Sequence, residues 1–338
     1  DKENQYVLFL KTDNWDEVGE SENFKKVLAD IPWYGWDEQI KFKSIIRKEK
    51  VDLMHFPHWN VPLFYNDPFV VTIHDLIMYK FPRPEATTLG PVKFWIKDMI
   101  HRLLVNHAVK KSKHVIVTSE FTRQDVRETL GVDLKKMSVT YQAPFGFQNE
   151  DLRLQNFDLS KYGIDKKFVL YVGAAYPHKN LDRLVQAWEL FEEENGDDYQ
   201  LVLVGKENYF YNNLKSKICN LKSAIYLGFV SDDELIELYK NASLYVFPSM
   251  YEGFGIPPLE AQQHGVPVVS SNASCLPEVL GESALYFDPE NIEQMAESIY
   301  KGLTDKDIRF DLQNNARENL KRFSSRKLAE STLEIYLK

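Results

Sequence analysis

Short apolar segments alternate with helical segments along the whole sequence. The apolar segments have the length of strands and span residues 6–10, 51–56, 69–74, 114–119, 137–142, 168–173, 199–205, 224–230, 243–249, 266–271 and 284–288. They are continuous runs rich in Val, Leu, Ile and Tyr, which is typical of parallel strands that are covered on both faces. The helical segments carry apolar stripes, such as that of Leu181, Leu184 and Trp188. This alternation predicts an α/β fold with parallel sheets.

The length of the chain and one polar segment indicate two domains. At roughly 100–200 residues per domain, 338 residues are enough for two. Residues 143–167 are polar and show little periodicity, so the linker is expected there. We predict one doubly wound, Rossmann-like sheet of five or six strands in each half, with the ligand in the cleft between them. The predicted bounds are 1–145 for the N-terminal domain, 146–165 for the linker, 166–322 for the C-terminal domain and 323–338 for a final helix that packs back on the N-terminal domain.

The charge balance excludes some partners. The chain has 41 Lys and Arg against 50 Asp and Glu, a formal net charge of −9, whereas a protein that binds nucleic-acid duplexes needs a dominant basic surface. A local positive site can still bind a phosphorylated small molecule. The two cysteines, Cys219 and Cys275, cannot form a disulfide framework, and no apolar run approaches the roughly 20 residues that cross a bilayer. We therefore expect a cytoplasmic protein.

Segment 247–269 has the pattern of a ligand-binding loop between a strand and a helix. The apolar run ends at Ser249, Gly253 and Gly255 follow, and a helix is predicted to begin at Pro257. The glycines let the backbone approach a ligand, and the free N–H groups of the helix N-terminus attract phosphate. The segment therefore predicts an anion site.

Two carboxylates, Glu252 and Glu260, bracket this segment, and we call residues 252–260 the glutamate loop. A carboxylate repels a diphosphate, but its two oxygens accept hydrogen bonds from the vicinal hydroxyls of a ribose or hexose. Taken singly, Glu260 would only complement the helix dipole and Glu252 would be a solvated loop residue. Because both bracket a glycine-containing turn between a strand and a helix, we favour the binding of sugar hydroxyls.

Lys179 stands immediately before a predicted helix that Asn180 caps, in the loop that follows Gly173. A lysine at this position meets the positive end of the helix dipole, so the helix does not explain its charge. A bound phosphate would resolve the conflict, which makes Lys179 a candidate diphosphate ligand. The alternative, an exposed lysine in solvent, stays open.

His74 ends an apolar run, at a position that faces the predicted cleft. It could bond a substrate hydroxyl or be a satisfied structural residue, and the sequence leaves both open. His55, His58, His74 and Asp75 are also conceivable metal ligands. Pro57 interrupts the His55–His58 pair, however, and no helix holds the imidazoles on one face, so no metal site is predicted.

The predicted helix 91–113 is basic and amphipathic. Its cations are Lys93, Lys97, Arg102, Lys110, Lys111 and Lys113, against the single acidic residue Asp98. Its large apolar residues include Phe94, Trp95, Ile96, Met99 and Ile100. The pattern favours a helix that packs on the sheet with a solvated face. It also allows a basic face that contacts anionic lipid headgroups at the cytoplasmic side of a membrane.

The motifs together resemble the retaining glycosyltransferases of family 4, which have the GT-B architecture of two facing Rossmann-like domains. The resemblance rests on segments 72–77, 117–122, 171–180 and 252–260. The last of these matches that family's glutamate–seven–glutamate motif. The combination is most similar to bacterial mannosyltransferases of O-antigen and exopolysaccharide assembly.

The resemblance implies roles for individual residues. Glu260 would bind the nucleotide ribose, Glu252 the hydroxyls of the donor sugar, and Lys179 the leaving diphosphate. His74 would contact the donor hexose near the reacting carbon, which completes a catalytic set of His74, Glu252 and Lys179. The donor-binding set is completed by Gly173, Val230, Gly253, Phe254 and Gly255. The family needs no metal or other cofactor, because cationic side chains and helix N-termini stabilise the leaving group.

The chain departs from the family pattern in two places. Ala174 stands where many members have an arginine that binds the diphosphate, and His178 or Arg183 could compensate. The family also opens with a strand and a Gly-Gly loop on the acceptor side, which nothing before Gln5 matches. The N-terminal domain is therefore predicted to lack its first strand, or to build the acceptor site differently.

The function that the resemblance implies is transfer of a hexose, in the first place mannose from GDP-mannose, to a hydroxyl of a glycan or lipid-linked acceptor in cell-surface polysaccharide synthesis. Three alternatives stay open: a glycosyltransferase that uses a UDP-sugar, a non-hydrolysing UDP-sugar epimerase and a non-catalytic sugar-nucleotide-binding protein. A dehydrogenase is disfavoured, because no Gly-x-Gly-x-x-Gly follows the early strands.

Overall fold

A computed structural model of the chain describes residues 1–19, 21–32, 35, 37–84, 90–144 and 158–338. Most of the predicted linker 146–165 lies outside these residues. Its described part contains the short 3₁₀ helix Leu159–Tyr162. The predicted domain bounds therefore stay predictions, and we refer to the residues before and after this gap as the N-terminal and C-terminal halves.

The described residues of the N-terminal half form two separate parallel sheets, one of two strands and one of four in the order β3-β4-β5-β6. The strands are β1 Tyr6–Leu10, β2 Phe24–Leu28, β3 Met54–Phe56, β4 Phe69–Ile73, β5 His114–Val117 and β6 Met137–Val139. The expectation of a single sheet in this half is therefore wrong, and β2 was not predicted. Its sequence contains two adjacent lysines, and its end residues Phe24 and Leu28 are exposed, so it lacks the continuous apolar pattern of a buried strand.

The C-terminal half contains one six-stranded parallel sheet in the order β12-β11-β10-β7-β8-β9. The strands are β7 Lys167–Val172, β8 Tyr199–Val204, β9 Ala224–Gly228, β10 Leu244–Phe247, β11 Val268–Ser271 and β12 Ala284–Phe287. Counted from the start of this half, the order is that of a doubly wound, dinucleotide-binding sheet. Every predicted apolar segment contains a strand, and the α/β fold with parallel sheets in two halves is confirmed.

Helices separate most of the strands, and several begin where the sequence predicted. Their bounds are α1 Lys43–Glu49, α2 Ile77–Lys80, α3 Gly90–Lys111, α4 Glu120–Leu130, α5 Leu181–Asn195, α6 Tyr209–Asn220, α7 Asp232–Asn241, α8 Ile256–Gln263, α9 Leu276–Leu280, α10 Ile292–Thr304, α11 Lys306–Leu320 and α12 Ser325–Tyr336. At the start of α7, Ser231 and Glu234 form a capping box, as their spacing indicates. At the start of α12, the Ser324 hydroxyl accepts a hydrogen bond from the Lys327 N–H.

The C-terminal helix α12 lies against the four-stranded sheet of the N-terminal half. Ile335 packs in one buried cluster with Val70 of β4 and Ile116 of β5. Next to it, the Tyr336 hydroxyl lies 2.5 Å from Nδ1 of His55. The last helix of the chain therefore ties the two halves together.

The Ile335→Ala variant should be less stable than the wild type by about 2–5 kcal/mol, because it removes a buried side chain and leaves a cavity against the N-terminal sheet. The control is Leu337→Ala directly after the helix, where the side chain is 68% exposed. That variant should change the free energy of unfolding by less than about 0.5 kcal/mol. Urea unfolding followed by tryptophan fluorescence measures both, and equal effects would show that α12 does not anchor the N-terminal sheet.

Candidate active site

The loops after β7 and β10 meet where the strand order of the C-terminal sheet reverses. The two strands are neighbours, but the chain continues from β7 to β8 on one side and from β10 to β11 on the other. In open α/β sheets such a reversal leaves a crevice beyond the carboxyl ends of the strands, and ligands bind there. Lys179 follows β7 and the glutamate loop follows β10, so the fold brings these two predicted segments to one place.

Lys179 and Glu252 form an ion pair across this crevice. The Lys179 Nζ lies 2.6 Å from the Glu252 Oε1, and the two side chains are only 18% and 9% exposed. The interpretation of Lys179 as an exposed lysine in solvent therefore does not fit. The Glu252 carboxylate supplies the counter-charge that a lysine beside a helix N-terminus requires.

Gly253 brings the glutamate loop against the end of β4 in the N-terminal half. A Cβ atom at this position would lie 1.9 Å from the His74 carbonyl oxygen and 2.9 Å from the Cβ of Asp75. Only glycine allows two backbones to approach so closely. The contact places the predicted catalytic residues His74 and Glu252 on facing walls of the same crevice.

The imidazole of His74 is held from both sides. Its Nε2 lies 2.8 Å from the Pro57 carbonyl oxygen and its Nδ1 lies 2.8 Å from the side-chain nitrogen of Gln142. Since the carbonyl accepts and the amide NH₂ donates, the arrangement fits a neutral ring with its proton on Nε2. A bond from this ring to a substrate hydroxyl would have to replace one of the two partners.

The second half of the glutamate loop turns into α8. Gly255 has a φ of +94°, a conformation that favours glycine, and Phe254 beside it is buried. Glu260 lies in α8, is 9% exposed, and accepts a hydrogen bond from the Tyr239 hydroxyl at 3.1 Å. Burial raises the pKa of this carboxyl above its ordinary value of 4.5. A buried carboxylate with one described hydroxyl donor is suited to binding a further hydroxyl.

Gly173 and Val230 lie at the carboxyl ends of other strands of the same sheet. Gly173 follows β7, and its carbonyl oxygen accepts a hydrogen bond from the Tyr211 hydroxyl at 2.8 Å. A Cβ on Gly205, after β8, would lie 2.1 Å from that oxygen, so the two loops pack backbone to backbone. Val230 is buried and follows β9, two strands from β7.

Asn180 does not cap α5 with its side chain, so that expectation is wrong. The residue has a φ of +62° and makes no capping hydrogen bond. Instead its side-chain NH₂ donates to the carbonyl oxygens of Pro248 at 3.1 Å and Pro289 at 2.7 Å. Asn180 therefore ties the loop after β7 to the loops after β10 and β12.

The two residues that could compensate for Ala174 differ in charge. His178 is 2% exposed, and burial lowers its pKa to about 3, with smaller contributions from Lys179 and Arg83. It is therefore neutral and supplies no charge for a diphosphate. The Arg183 guanidinium remains a candidate, and it bonds Asn180 at 3.0 Å.

Three residues of the crevice were missed or assigned another role by sequence reasoning. Asp75 was considered only as a metal ligand, but it lies against the glutamate loop, and burial raises its pKa, with a contribution from the Glu252 carboxylate. Ser274 has a φ of +55° and accepts a hydrogen bond from the Glu252 N–H at 3.1 Å. Tyr251 donates a hydrogen bond to Asp125 of α4. Among the described residues, no three His, Cys, Asp or Glu side chains are grouped so as to hold a metal ion.

The Glu260→Gln variant should be more stable than the wild type at pH 7.5. Because the pKa of Glu260 is raised on folding, the folded state binds the proton more tightly, and the ionised carboxylate destabilises the fold as the pH rises above 4.5. The amide keeps an oxygen for Tyr239 and removes the charge. The gain should shrink as the pH falls towards 4.5, as measured by urea unfolding at several pH values.

The control for this prediction is Glu297→Gln, because the Glu297 side chain is 61% exposed. It should show no gain that depends on pH in this way. If Glu260→Gln is instead less stable than the wild type at pH 7.5, the ionised carboxylate stabilises the folded state and the prediction is wrong.

Two family models match the sequence. Residues 10–143 match the family model described as Glycosyltransferase Family 4, and residues 155–319 match the model described as Glycosyl transferases group 1. The chain is 27% identical to the O-antigen chain mannosyltransferase RfbU of Salmonella typhimurium (strain LT2) over 90% of its own length and 81% of that protein. It is 29% identical to the O-antigen chain mannosyltransferase B of Escherichia coli, over 86% of its own length and 75% of that protein.

A solved structure shows the same fold. The sucrose-phosphate synthase of Thermosynechococcus elongatus aligns with 98% of this chain and 88% of its own, with a TM-score of 0.70 and 19% identity. The two family models together span most of the chain, the Family 4 model in the N-terminal half and the group 1 model in the C-terminal half. The chain therefore belongs to the family 4 glycosyltransferases and has their GT-B fold.

Proposed function

We propose that this glycosyltransferase moves a hexose, in the first place mannose from GDP-mannose, to a hydroxyl of a glycan or lipid-linked acceptor in cell-surface polysaccharide synthesis. The observation that carries the proposal is the Lys179–Glu252 pair at the strand reversal, next to the contact of Gly253 with His74. The choice of mannose is supported by the two relatives that are named O-antigen chain mannosyltransferases.

In this proposal the C-terminal half binds the donor. Lys179 neutralises the diphosphate. At the start of α8 the Ile256 N–H can donate to the same anion, whereas Pro257 and Pro258 have no N–H group. Glu252 and Glu260 accept hydrogen bonds from the hydroxyls of the sugar and the ribose. Because fixed cationic and dipolar groups stabilise the leaving diphosphate, the reaction needs no metal ion.

The reaction that we propose retains the configuration at the anomeric carbon. The bond between that carbon and the diphosphate oxygen breaks, and the acceptor oxygen forms its bond on the same face. The acceptor proton passes to the departing phosphate oxygen, so no side chain acts as a covalent nucleophile. Closing the two halves over the donor excludes water, which would otherwise hydrolyse it.

Of the alternatives, a UDP-sugar donor remains a candidate within the same geometry. The epimerase and the non-catalytic binding protein are set aside, because the chain belongs to a glycosyltransferase family. Incubation of the donor without acceptor separates an epimerase from a transferase, since only the epimerase would convert the sugar.

In a thermal-shift panel, GDP-sugars and UDP-sugars should raise the melting temperature to different extents, with the largest rise for GDP-mannose. The reason is that a ligand that binds the folded state stabilises it in proportion to its affinity.

In Lys179→Ala, the affinity for the nucleoside diphosphate should fall about tenfold to a hundredfold, the loss expected for a charge-assisted hydrogen bond. The affinity for the monophosphate should change by less than about threefold.

The control is Lys240→Ala on α7, which removes a lysine from an ion pair with Glu237 and should leave both affinities unchanged. Equal losses of monophosphate and diphosphate binding in Lys179→Ala would remove Lys179 from its proposed role. No thermal shift with any nucleotide would argue against the proposed donor class as a whole.

We also propose that α3 holds the enzyme on an anionic membrane surface. In the part of the chain that the structure describes, no helix is long and apolar enough to span a membrane. One face of α3 packs on the sheet and the opposite face is exposed to solvent, as expected, but both of these faces are apolar. One face is buried and consists of Phe94, Leu104, Val105, Ala108 and Val109.

The opposite face of α3 is a stripe of large apolar side chains at a spacing of three or four residues. The stripe consists of Val92, Trp95, Ile96, Met99, Ile100 and Leu103, with exposed fractions between 47% and 71%. The helix is also basic in a chain of net charge −9, and its one acidic side chain, Asp98, is buried and bonded to Arg102 at 2.6 Å. An apolar stripe flanked by cations matches the interface of a bilayer that contains anionic lipids.

The wild-type protein should sediment with vesicles of phosphatidylcholine and phosphatidylglycerol more than with vesicles of phosphatidylcholine alone. The Trp95→Ser/Met99→Ser variant should bind the anionic vesicles at least about tenfold more weakly, because it removes two apolar side chains from the interface. Phe310→Ser on α11, where the side chain is 64% exposed, should bind as the wild type does. If the α3 variant binds vesicles normally but changes the sedimentation velocity of the free protein, the stripe is instead a contact between two copies of the chain.

A further inference from the structure

The end of β5 and the first turn of α4 carry three buried hydroxyl groups that the proposed mechanism does not use. Thr118, Ser119 and Thr122 are each no more than 2% exposed. Ser119 is the N-cap of α4, since its hydroxyl oxygen accepts a hydrogen bond from the Thr122 N–H at 3.0 Å. The cap uses the Ser119 hydroxyl oxygen as an acceptor. It does not say to which acceptors the three hydroxyl groups donate their protons.

All three hydroxyls converge on the Gly253 carbonyl oxygen in the glutamate loop. The distances from this oxygen to the hydroxyl oxygens of Thr118, Ser119 and Thr122 are 2.9, 2.7 and 3.2 Å. A backbone carbonyl has two lone pairs, so it accepts from at most two of these hydroxyls at one time. Ser119 and Thr122 can fill both positions when the Thr118 proton goes to the His74 carbonyl oxygen instead. The donors belong to the N-terminal half and the acceptor to the C-terminal half, so the bonds exist only while the halves are together.

Two further contacts join α4 to the C-terminal half. The Glu278 carboxylate of α9 accepts hydrogen bonds from the N–H groups of Glu120 and Phe121, at 2.7 and 3.0 Å. These are N–H groups of the first turn, which have no partner within the helix. Further along α4, Asp125 accepts the hydrogen bond from the Tyr251 hydroxyl.

These contacts hold both chain neighbours of Glu252, since Tyr251 precedes it and Gly253 follows it. The position of the Glu252 carboxylate therefore depends on α4, although α4 contributes no group to the crevice that we assigned to the donor. The Thr118 hydroxyl also lies 2.8 Å from the His74 carbonyl oxygen. Its one proton lies within reach of carbonyl oxygens on both walls of the crevice and is given to one of them at a time.

We propose that Thr118, Ser119 and Thr122 are positioning residues for glycosyl transfer, which set the glutamate loop in its reactive position when the two halves close. The inference rests on the proposed function only in taking the glutamate loop as the donor-binding loop. The C-terminal half can bind a nucleotide through Lys179 and Glu260 in an open state. Transfer requires the closed state, in which the three hydroxyls fix the Gly253 peptide.

The Thr118→Val/Thr122→Val variant tests this inference, because valine keeps the shape of threonine, loses the hydroxyl and leaves the Ser119 cap in place. The kcat for transfer should fall at least about tenfold, since a small displacement of a substrate-binding group has a large effect on rate. The dissociation constant for the nucleoside diphosphate should stay within about threefold of the wild-type value. Small-angle X-ray scattering of the free protein should give a larger radius of gyration.

The matched control is Thr140→Val, which removes a buried hydroxyl of the N-terminal half that has no hydrogen-bond partner among the described residues; it should match the wild type in all three measurements. A second variant, Gly253→Ala, blocks closure from the other side, since its Cβ would clash with the His74 carbonyl oxygen. It should lower kcat and raise the radius of gyration as the double variant does; its nucleotide affinity is not part of the test, because Gly253 belongs to the donor-binding set. It carries the test if the double variant does not fold.

A double variant with a kcat within twofold of the wild type, or with an unchanged radius of gyration, would overturn the inference. So would a loss that lies wholly in nucleotide affinity. If the wild type binds no nucleotide sugar, the proposed function fails. The scattering comparison still decides whether the three hydroxyls hold the halves closed.

Discussion

The ion pair between Lys179 and Glu252 is the interaction on which the candidate site depends. Both side chains are largely buried, and removing one partner of such a pair leaves an uncompensated charge in a poorly solvated place. The pair is also held by its surroundings, because Asn180 fixes the loop that carries the lysine and Ser274 accepts from the backbone N–H of Glu252. A diphosphate that enters the crevice would replace the carboxylate as the counter-charge of Lys179 and free Glu252 for a sugar hydroxyl.

The close approach of the two halves is a second constraint, and it depends on one glycine. Gly253 lets the glutamate loop contact the end of β4, and its carbonyl oxygen lies within hydrogen-bond distance of the hydroxyls of Thr118, Ser119 and Thr122. The C-terminal helix α12 adds a contact at a separate place, on the four-stranded sheet. The end of the chain therefore returns to the N-terminal half. If the two halves move apart at the crevice, the contact of α12 with the four-stranded sheet has to shift or the helix has to move with that sheet.

The charge and the apolar side chains of the protein surface are distributed in a way that fits a lipid-linked acceptor. The chain is acidic overall, yet α3 is basic and exposes six large apolar side chains. This helix belongs to the N-terminal half, which faces the glutamate loop across the crevice. An enzyme that lies on a membrane through this half would present its acceptor side to a lipid-linked substrate and its donor side to the solution.

Local sequence determined most of the fold and the chemical types of the site residues. Continuous apolar runs and capping residues act over about twenty residues or fewer, so strands, helix starts and the alternation that defines an α/β fold were predictable. The exposed strand β2 was missed because it lacks that pattern. Glycine, lysine and glutamate at strand ends indicated an anion and sugar site for the same local reason.

Only the tertiary structure decided which of these residues meet. Lys179 and Glu252 are 73 residues apart in sequence, and Ser119 and Gly253 are 134 apart, so no local periodicity relates them. The side-chain bonding of Asn180, the neutral state of His178 and the exposed apolar face of α3 also depend on what packs against each residue. Such contacts follow from strand order and from the closing of two halves, which a single sequence does not encode in any short segment.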